Sequence, residues 1–438
     1  MRQRGARLIG PERAATRLSL LSLLAVVAVA AALPRLWHVL HAPAGHRLVD
    51  LAVYRNAGVS LLHHRAVYDY ATPALPHALP FTYPPFAALL GVALAEIPLG
   101  SLQVGWTLLS VLLLAWCGWL SFRGVLPEDR RLRGLWLVAL TAGAVQLQPV
   151  YDVLRFGQVG LLLLALVSSD LLVRRVSRSR GAGVLTGVAT ALKLTPGVFV
   201  PALWLAGRRR SAVVCAGTAI GLTVLAFAIA PHTSHDFWFS ALGHSDRLGD
   251  NADTSDQAIR GMALRVGLPT AVTVLLVLVV AVLGLWRAAR ADSPLGFVAI
   301  TGLLAVLLSP VAWIHHLVWI VPVLGVLAAA RRWGWLMLLA VFFALPVPWW
   351  GRSLVRHDIF GGRVVEDAFG LTALLLVLLL PLGERAALPW RRVVGRPGSR
   401  TSRPPTERPH PSQQQAPASP AVPSLPRRGR RLPTRASR

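Results

Sequence analysis

LSLLSLLAVVAVAAALPRLW (18–37) holds a single charged residue, Arg35, in twenty positions. That is about the length that carries a helix across the ~30 Å hydrocarbon core of a bilayer. Comparable apolar runs recur at Leu102–Phe122, Ala212–Ala230, Pro269–Trp286, Pro294–Trp313 and Gly334–Trp349. Over 438 residues the chain is 54% hydrophobic and 15% charged, with a mean hydropathy of +0.56. Soluble globular chains carry more charge and interrupt their apolar runs sooner. The expected fold is therefore an all-α polytopic membrane protein. No small-residue cleavage site follows the first run, which reads as a retained signal-anchor.

Working outward from that run, charge sets the orientation. Arg2, Arg4, Arg7, Arg13 and Arg17 precede it, so residues 1–17 read as a basic cytoplasmic N-terminus. RRRS (208–211), RAAR (287–290) and RRW (331–333) fit the same side. The segments around Asp50–Pro85, His232–Gly267, Trp313–His316 and Arg352–Asp367 then face outward. The net charge of +26 sits in these clusters and in the tail, with no aromatic-basic groove, which excludes nucleic acid as the partner. Membrane lipids are the expected partner of such clusters. Residues 18–385 form the membrane domain. Residues 396–438 are rich in Pro, Ser, Gln and Arg without apolar periodicity and read as a disordered cytoplasmic tail. Cys117 and Cys215 both lie in apolar runs, the usual place of buried thiols.

Two stretches govern the number of spans. GAGVLTGVATALKLTPGVFVPALWLAG (181–207) has arginines beyond both ends and is interrupted by Lys193 and Pro196. Two half-length helices broken at Lys-Leu-Thr-Pro satisfy that pattern, provided protein or a wet cavity covers the break. The second is Pro84–Pro98 followed by Leu102–Phe122. If both cross, RGVLPEDRRLR (123–133) lands outside against the charge rule; otherwise the shorter piece is re-entrant. The total is about a dozen transmembrane or re-entrant segments.

The few polar groups among these runs are the candidates for chemistry. Asp50 and Tyr54, four residues apart, share one face of a helix just past the first span. They read either as a catalytic carboxylate with an orienting tyrosine or as an ordinary solvated pair. Tyr83 precedes Pro84-Pro85, a good helix start with an interfacial anchor. Gln158, in RFGQVG (155–160), opens another span. Lys193 lies mid-segment, where a charge faces a cavity or a partner; it either meets a phosphate or pairs with an acid such as Asp170. His315 and His316 follow SPVAW at an outer span end, and neighbouring histidines on a helix diverge too far to chelate one metal. The acidic loop 232–268 has no compact metal spacing and reads as solvated, with no metal ligands assigned.

Taken in order, these motifs resemble glycosyltransferase family 87, the polyprenyl-phosphate-mannose-dependent α-1,2-mannosyltransferases of the membrane-embedded GT-C superfamily. DLAVYRNAGVSLLHHRAVYDY (50–70) is similar to the family's Asp-x-x-x-Tyr segment and FTYPPF (81–86) to its Tyr-Pro-Pro. FGQVGLLLLAL (156–166), the Lys-x-x-Pro of 183–210 and SPVAWIHH (309–316) continue the series. In DQAIRGMALR (256–265) Asp256 and Ala258 stand where Asn and Ser are common, while Gly261 and Arg265 are kept.

The resemblance implies a GT-C-type bundle of about a dozen transmembrane or re-entrant helices with outward-facing active-site loops. It implies a hexosyltransferase that moves mannose from a polyprenyl-phosphate sugar donor to a glycolipid or glycan acceptor, with inversion, at the extracytoplasmic face of the cell membrane. No nucleotide sugar, cofactor or obligatory metal is implied. Asp50 is then the general base, and Lys193 and His316, with Arg265 or His315 as substitutes, stabilise the departing lipid phosphate; Tyr54, Tyr83 and Gln158 bind substrate. The alternative is a transporter or flippase of lipid-linked sugars. That reading calls for paired repeats and a charged midplane site, and no repeat is visible in the sequence.

Overall fold

The computed structural model describes residues 11–43, 45–73, 78–244, 247 and 249–381. Residues 1–10, the tail 396–438 and Asp246 of the acidic loop lie outside the described residues. The chain enters through α1 (Pro11–His41) and then forms two shorter helices, α2 (Val49–Leu62) and α3 (Pro85–Ala95). Between them lies a two-stranded ribbon in which Ala71 pairs with Pro80 and Thr72 with Leu79. Next come α4 (Leu99–Phe122), α5 (Arg130–Ala144), α6 (Gln148–Phe156), α7 (Gly160–Leu172) and the short α8 (Arg174–Ser177). α9 (Val184–Leu192), a 3-10 turn at Thr195–Val198 and α10 (Phe199–Leu205) precede α11 (Arg209–Ile229) and α12 (Pro231–Phe239). α13 (Ile259–Arg265), α14 (Thr270–Ala289) and α15 (Pro294–Leu307) follow. A 3-10 segment, Ile314–Trp319, runs into α16 (Ile320–Ala329). α17 (Trp333–Ala344), α18 (Val347–Arg356), α19 (Gly362–Glu366) and α20 (Ala368–Leu379) complete the set.

The protein is an all-α membrane protein. Among the described residues four helices are long and apolar enough to cross a bilayer: Leu18–His41 of α1, α4, α11 and α14. The number rises to six if α5 with α6 and α17 with α18 each count as one span. Those pairs are bent by 79° and 56°, and each second helix opens on proline (Pro149, Pro348), which lacks the N–H needed to continue the preceding helix. Six further apolar helices are 10–17 residues long. α15 is buried at every position from Gly296 to Leu307 and α16 from Ile320 to Ala328, as expected of helices surrounded by others. α11 and α14 instead leave Val213, Ile220, Val224, Leu275 and Val282 exposed, an apolar outer face suited to lipid.

Both ambiguous stretches resolve into half-length pieces. α3 is eleven residues, about 16 Å, roughly half the hydrocarbon thickness. It lies backbone to backbone on α2: a Cβ added to Gly58 would sit 2.1 Å from the Gly91 carbonyl carbon. Arg55 holds the end of α3 and the turn after it, with Nη2 donating to Ala95 O at 2.9 Å and Nε to Ile97 O at 3.1 Å. α4 starts beside α2, where Gln103 Nε2 donates to Arg47 O at 3.3 Å. Its 24 residues rise about 36 Å, so the 123–133 segment lies at the end of the bundle away from Asp50. By length alone, the short piece is about half of what a crossing requires.

The 184–205 segment is a hairpin. Gly183 abuts Ser211, and Gly187 abuts Cys215 and Thr218, so α9 runs alongside α11 in the same direction. Three residues separate α10 from α11, and Arg208 Nη2 reaches Ser177 O at 2.7 Å. Both feet therefore sit at the start of α11, and the break at Lys193–Thr195 is the tip. Asp170 clamps the first foot, accepting from Gly183 N (2.9 Å), Thr186 N (2.9 Å) and Thr186 Oγ1 (2.7 Å). The two backbone N–H groups are orphan donors of a helix start, and a carboxylate is favourable there. Asp170 is thus engaged at the foot and is not the partner of Lys193.

Candidate active site

The site begins with a turn. α6 ends at Gly157, whose φ of +72° is a left-handed conformation that glycine adopts without strain. Gln158 N closes the turn on Val153 O at 2.9 Å. The space is also closed to a larger residue: a Cβ on Gly157 would lie 2.8 Å from Leu51 Cβ. Leu48 N, just ahead of α2, donates to Arg155 O at 3.2 Å. The first turn of α2 is thereby seated on the end of α6, and Gln158 faces Asp50.

From there a continuous hydrogen-bonded chain joins five segments. Gln158 Nε2 donates to Asp50 Oδ2 at 2.7 Å. Gln158 Oε1 and the hydroxyls of Tyr54 and Tyr83 form a triangle with 2.9 Å edges. The Asp50 carboxylate only accepts, so the amide turns its NH2 to Asp50 and its Oε1 to the hydroxyls, which can donate to it. The rings of Tyr54 and Tyr83 meet edge to face, 5.0 Å apart at 90°. Lys193, at the hairpin tip, lies 3.4 Å from the Tyr83 hydroxyl, 4.9 Å over its ring and 2.6 Å from His316 Nε2. With the ammonium donating, Nε2 is the acceptor and the ring proton of His316 is on Nδ1.

Asp50, Tyr83, Gln158, Lys193 and His316 all line one cleft of about 840 Å³, closed in by aromatic residues such as Phe81, Phe237 and Trp313. Burial pushes the Asp50 carboxyl up to about 6, against the Gln158 hydrogen bond and the positive charge of Lys193, which both favour its ionised form. A half-titrated carboxylate near neutral pH is suited to accepting a proton.

Three sequence candidates do not line the cleft: Tyr54 is buried behind it in the hydrogen-bond triangle, and Arg265 and His315 stand elsewhere. Arg265 is 8% exposed and makes a buried ion pair with Asp367 at 2.6 Å, while its Nη1 and Nη2 bind Asp253 O and Asp256 O, each at 2.6 Å. It supports the loop beneath α13 and does not line the cleft. His315 is buried against Phe156 and His316 and likewise does not line the cleft. Asp256 has a similar positioning role: its Oδ1 accepts from Ala258 N (3.0 Å) and Ala312 N (2.8 Å), tying this loop to the segment that carries His316. In the acidic loop Asp250 and Asp253 accept from Ala252 N and Ser255 N, each at 2.9 Å, in their own turns. Sequence reasoning missed Arg247, Arg260 and Trp313, all of which line the cleft. The one available signal was the presence of arginines in a loop placed outside, where the charge rule does not ask for them.

The model of glycosyltransferase family 87 matches residues 81–310. The chain is 32% identical over 308 residues to a polyprenol-phosphate-mannose-dependent alpha-(1-2)-phosphatidylinositol mannoside mannosyltransferase of Mycobacterium tuberculosis, covering 65% of this chain and 71% of the relative. It is 34% identical over 341 residues to a polyprenol-phosphate-mannose-dependent alpha-(1-2)-phosphatidylinositol pentamannoside mannosyltransferase of Mycolicibacterium smegmatis, covering 72% and 80%. No solved structure matches the chain.

Proposed function

The chain belongs to glycosyltransferase family 87, and from that premise we propose that it transfers mannose from a polyprenyl-phosphate donor to a phosphatidylinositol mannoside-type glycolipid. The relatives' named activities support the donor and acceptor classes. The observation that carries the assignment to this site is the unbroken path Asp50–Gln158–Tyr54/Tyr83–Lys193–His316 along one cleft. Family membership leaves the transporter reading without support.

In this mechanism the acceptor hydroxyl oxygen attacks the anomeric carbon as the bond to the lipid phosphate oxygen breaks. The bonding pair leaves with the phosphate, and the hydroxyl proton passes to Asp50. Gln158 occupies Oδ2, which leaves Oδ1 to take that proton. The leaving phosphate is already a good one, so a second carboxylate of the kind glycosidases use is not needed. The Lys193 ammonium donates to the charge that develops on the phosphate, and His316, accepting from it through Nε2, holds the ammonium in place. One displacement on a β-linked donor gives an α-linked product. The charge pattern supports a cleft on the extracytoplasmic side, and the short apolar helices around it are in keeping with a GT-C-type arrangement.

The test is purified protein in nanodiscs with labelled polyprenyl-phosphate-mannose and a phosphatidylinositol mannoside. An α-1,2-linked product is expected; a β-linked product, or no transfer to any mannoside, would sink the assignment.

The titration of Asp50 gives a pH dependence with a definite sign. Only the ionised carboxylate accepts a proton, and its affinity for protons is raised to about 6. Plotted against pH, kcat/KM should fall about ten-fold per unit below that value and level off above it only as far as the Lys193 ammonium, lowered by burial to about 8, keeps its proton. A profile that stays level down to pH 5 is incompatible with Asp50 as the base.

A further inference from the structure

We propose that a second pocket, between α2 and the loop that leads into the ribbon, is a subsite for a neutral hexose unit of a glycan. It holds about 320 Å³, and its polar lining is Asn56, Ser60, Arg65, Asp69 and Tyr70. That volume is at the small end for ligand pockets and suits one pyranose ring. The pocket is a neighbour of the Asp50 cleft. Val53 lines the cleft, and Asn56, three residues on, lines the pocket, so the two lie side by side on the surface of α2. Asn56 is about 9 Å along the helix axis from Asp50. The ribbon joins the two cavities as well. Leu79 and Pro80 line the cleft and pair with Thr72 and Ala71, which directly follow Asp69 and Tyr70 of the pocket. Asn56 Nδ2 donates to Thr72 Oγ1 at 3.1 Å, tying helix to ribbon. A short oligosaccharide whose end is at Asp50 has the reach to place a further unit here. In that form the inference rests on the transferase reading; the binding of sugar by the pocket does not.

The backbone of the pocket is fixed on both sides. After α2, His64 takes a left-handed φ of +52° and Arg65 N returns to Ser60 O at 2.8 Å, folding the loop back on the helix end. Val67 and Tyr68 are then buried, and the Tyr68 hydroxyl donates to Tyr83 O at 2.8 Å. Asp69 and Tyr70 emerge between this anchor and the ribbon, and both are exposed. The chemistry they present selects for a sugar. Arg65 and Asp69 cancel in charge, and among the described residues neither forms an ion pair. A guanidinium only donates and a carboxylate only accepts, so vicinal hydroxyls, which do both, satisfy the two together. A phosphate would meet repulsion from Asp69. With its Nδ2 given to Thr72, Asn56 keeps Oδ1 as an acceptor, and the Ser60 hydroxyl serves in either sense. Tyr70, 46% exposed, offers a ring face to the apolar side of a pyranose and a polar tip at its edge.

The experiment uses the full chain in neutral-lipid nanodiscs and compares the parent with D69A, Y70A, the double variant and Y70F. Binding of free α-mannotetraose is followed by saturation-transfer NMR, and KM is measured for acceptors bearing one and several mannose units. The double variant should bind the tetrasaccharide roughly ten-fold more weakly or worse, while Y70F, which keeps the ring, stays within about three-fold of the parent. Where the sugar is the acceptor's own, KM for the longer acceptor rises by a similar factor. KM for the single-mannose acceptor and kcat for both then stay within about two-fold. Tetrasaccharide binding lost with both KM values unchanged also supports the subsite and assigns it to a separate glycan. Tetrasaccharide binding equal in parent and double variant overturns the proposal, as does displacement of the sugar by inorganic phosphate. An equal rise in KM for both acceptors, with a lower unfolding temperature, would make the residues structural and overturns it too. A parent that transfers to no acceptor sinks the transferase reading alone, because the binding comparison is read without turnover and still decides the subsite.

Discussion

Asp50→Asn is expected to lower turnover by about 10²–10⁴-fold, the usual contribution of a positioned general base, while leaving the fold and both substrate affinities nearly unchanged. The reason lies in the Gln158 amide. Its NH2 points at residue 50 while its Oε1 accepts from the Tyr54 and Tyr83 hydroxyls. An asparagine there can still offer Oδ1 to that NH2, keeping the hydrogen bond and the shape of the first turn of α2. Only basicity is removed. The measurement is single-turnover transfer from labelled polyprenyl-phosphate-mannose, together with a thermal unfolding curve in the same detergent. Turnover within ten-fold of the parent would mean that the acceptor proton leaves by another route. Unfolding at lower temperature would instead point to a structural role.

Lys193→Ala should be nearly as severe, with a loss of about 10²–10³-fold in kcat/KM for the donor, as when a preorganised donor to a developing anion is deleted. The ammonium stands at the tip of the α9–α10 hairpin and touches both the Tyr83 hydroxyl and His316 Nε2. Removing it deprives the leaving phosphate of its fixed charge and deprives His316 of the partner that sets its tautomer. Donor KM and kcat should both suffer, whereas acceptor KM should move by no more than about two-fold. A variant with an unchanged dependence on donor concentration would take Lys193 out of the site. Lys193→Arg, which keeps charge but not shape, separates the two contributions.

The residues that sequence patterns picked out well were those whose meaning is local. Asp50 and Tyr54 share a helix face through i,i+4 spacing, and Lys193 with Pro196 marks a break because neither belongs in the middle of an apolar helix. The sequence reading found the members of the Asp50–His316 chain one by one but not their order, because Asp50 meets Gln158 across 108 residues and Lys193 meets His316 across 123. Arg265 shows the limit more sharply. Its charge near an outer loop looked available for substrate, yet its partner Asp367 is 102 residues away and nothing in the local pattern announces it. His315 and His316 are adjacent and chemically identical, and only packing decides that one lines the cleft while the other is buried. Span counting met a related difficulty. Hydropathy measures the length of an apolar run, but Pro149 and Pro348 turn two such runs through large angles, and α3 and α9 stop halfway.

The foot of the hairpin has a consequence of its own. Asp170 and the Arg208–Ser177 contact pin both legs, so the height and bearing of the lysine are dictated by arc length, as with the apex of a strut whose bases are bolted down. One residue inserted into α9 would swing that apex by about 100° and raise it about 1.5 Å, away from Tyr83. The same insertion outside the bolts would be absorbed harmlessly, so in this stretch of chain spacing is as binding a constraint as side-chain identity.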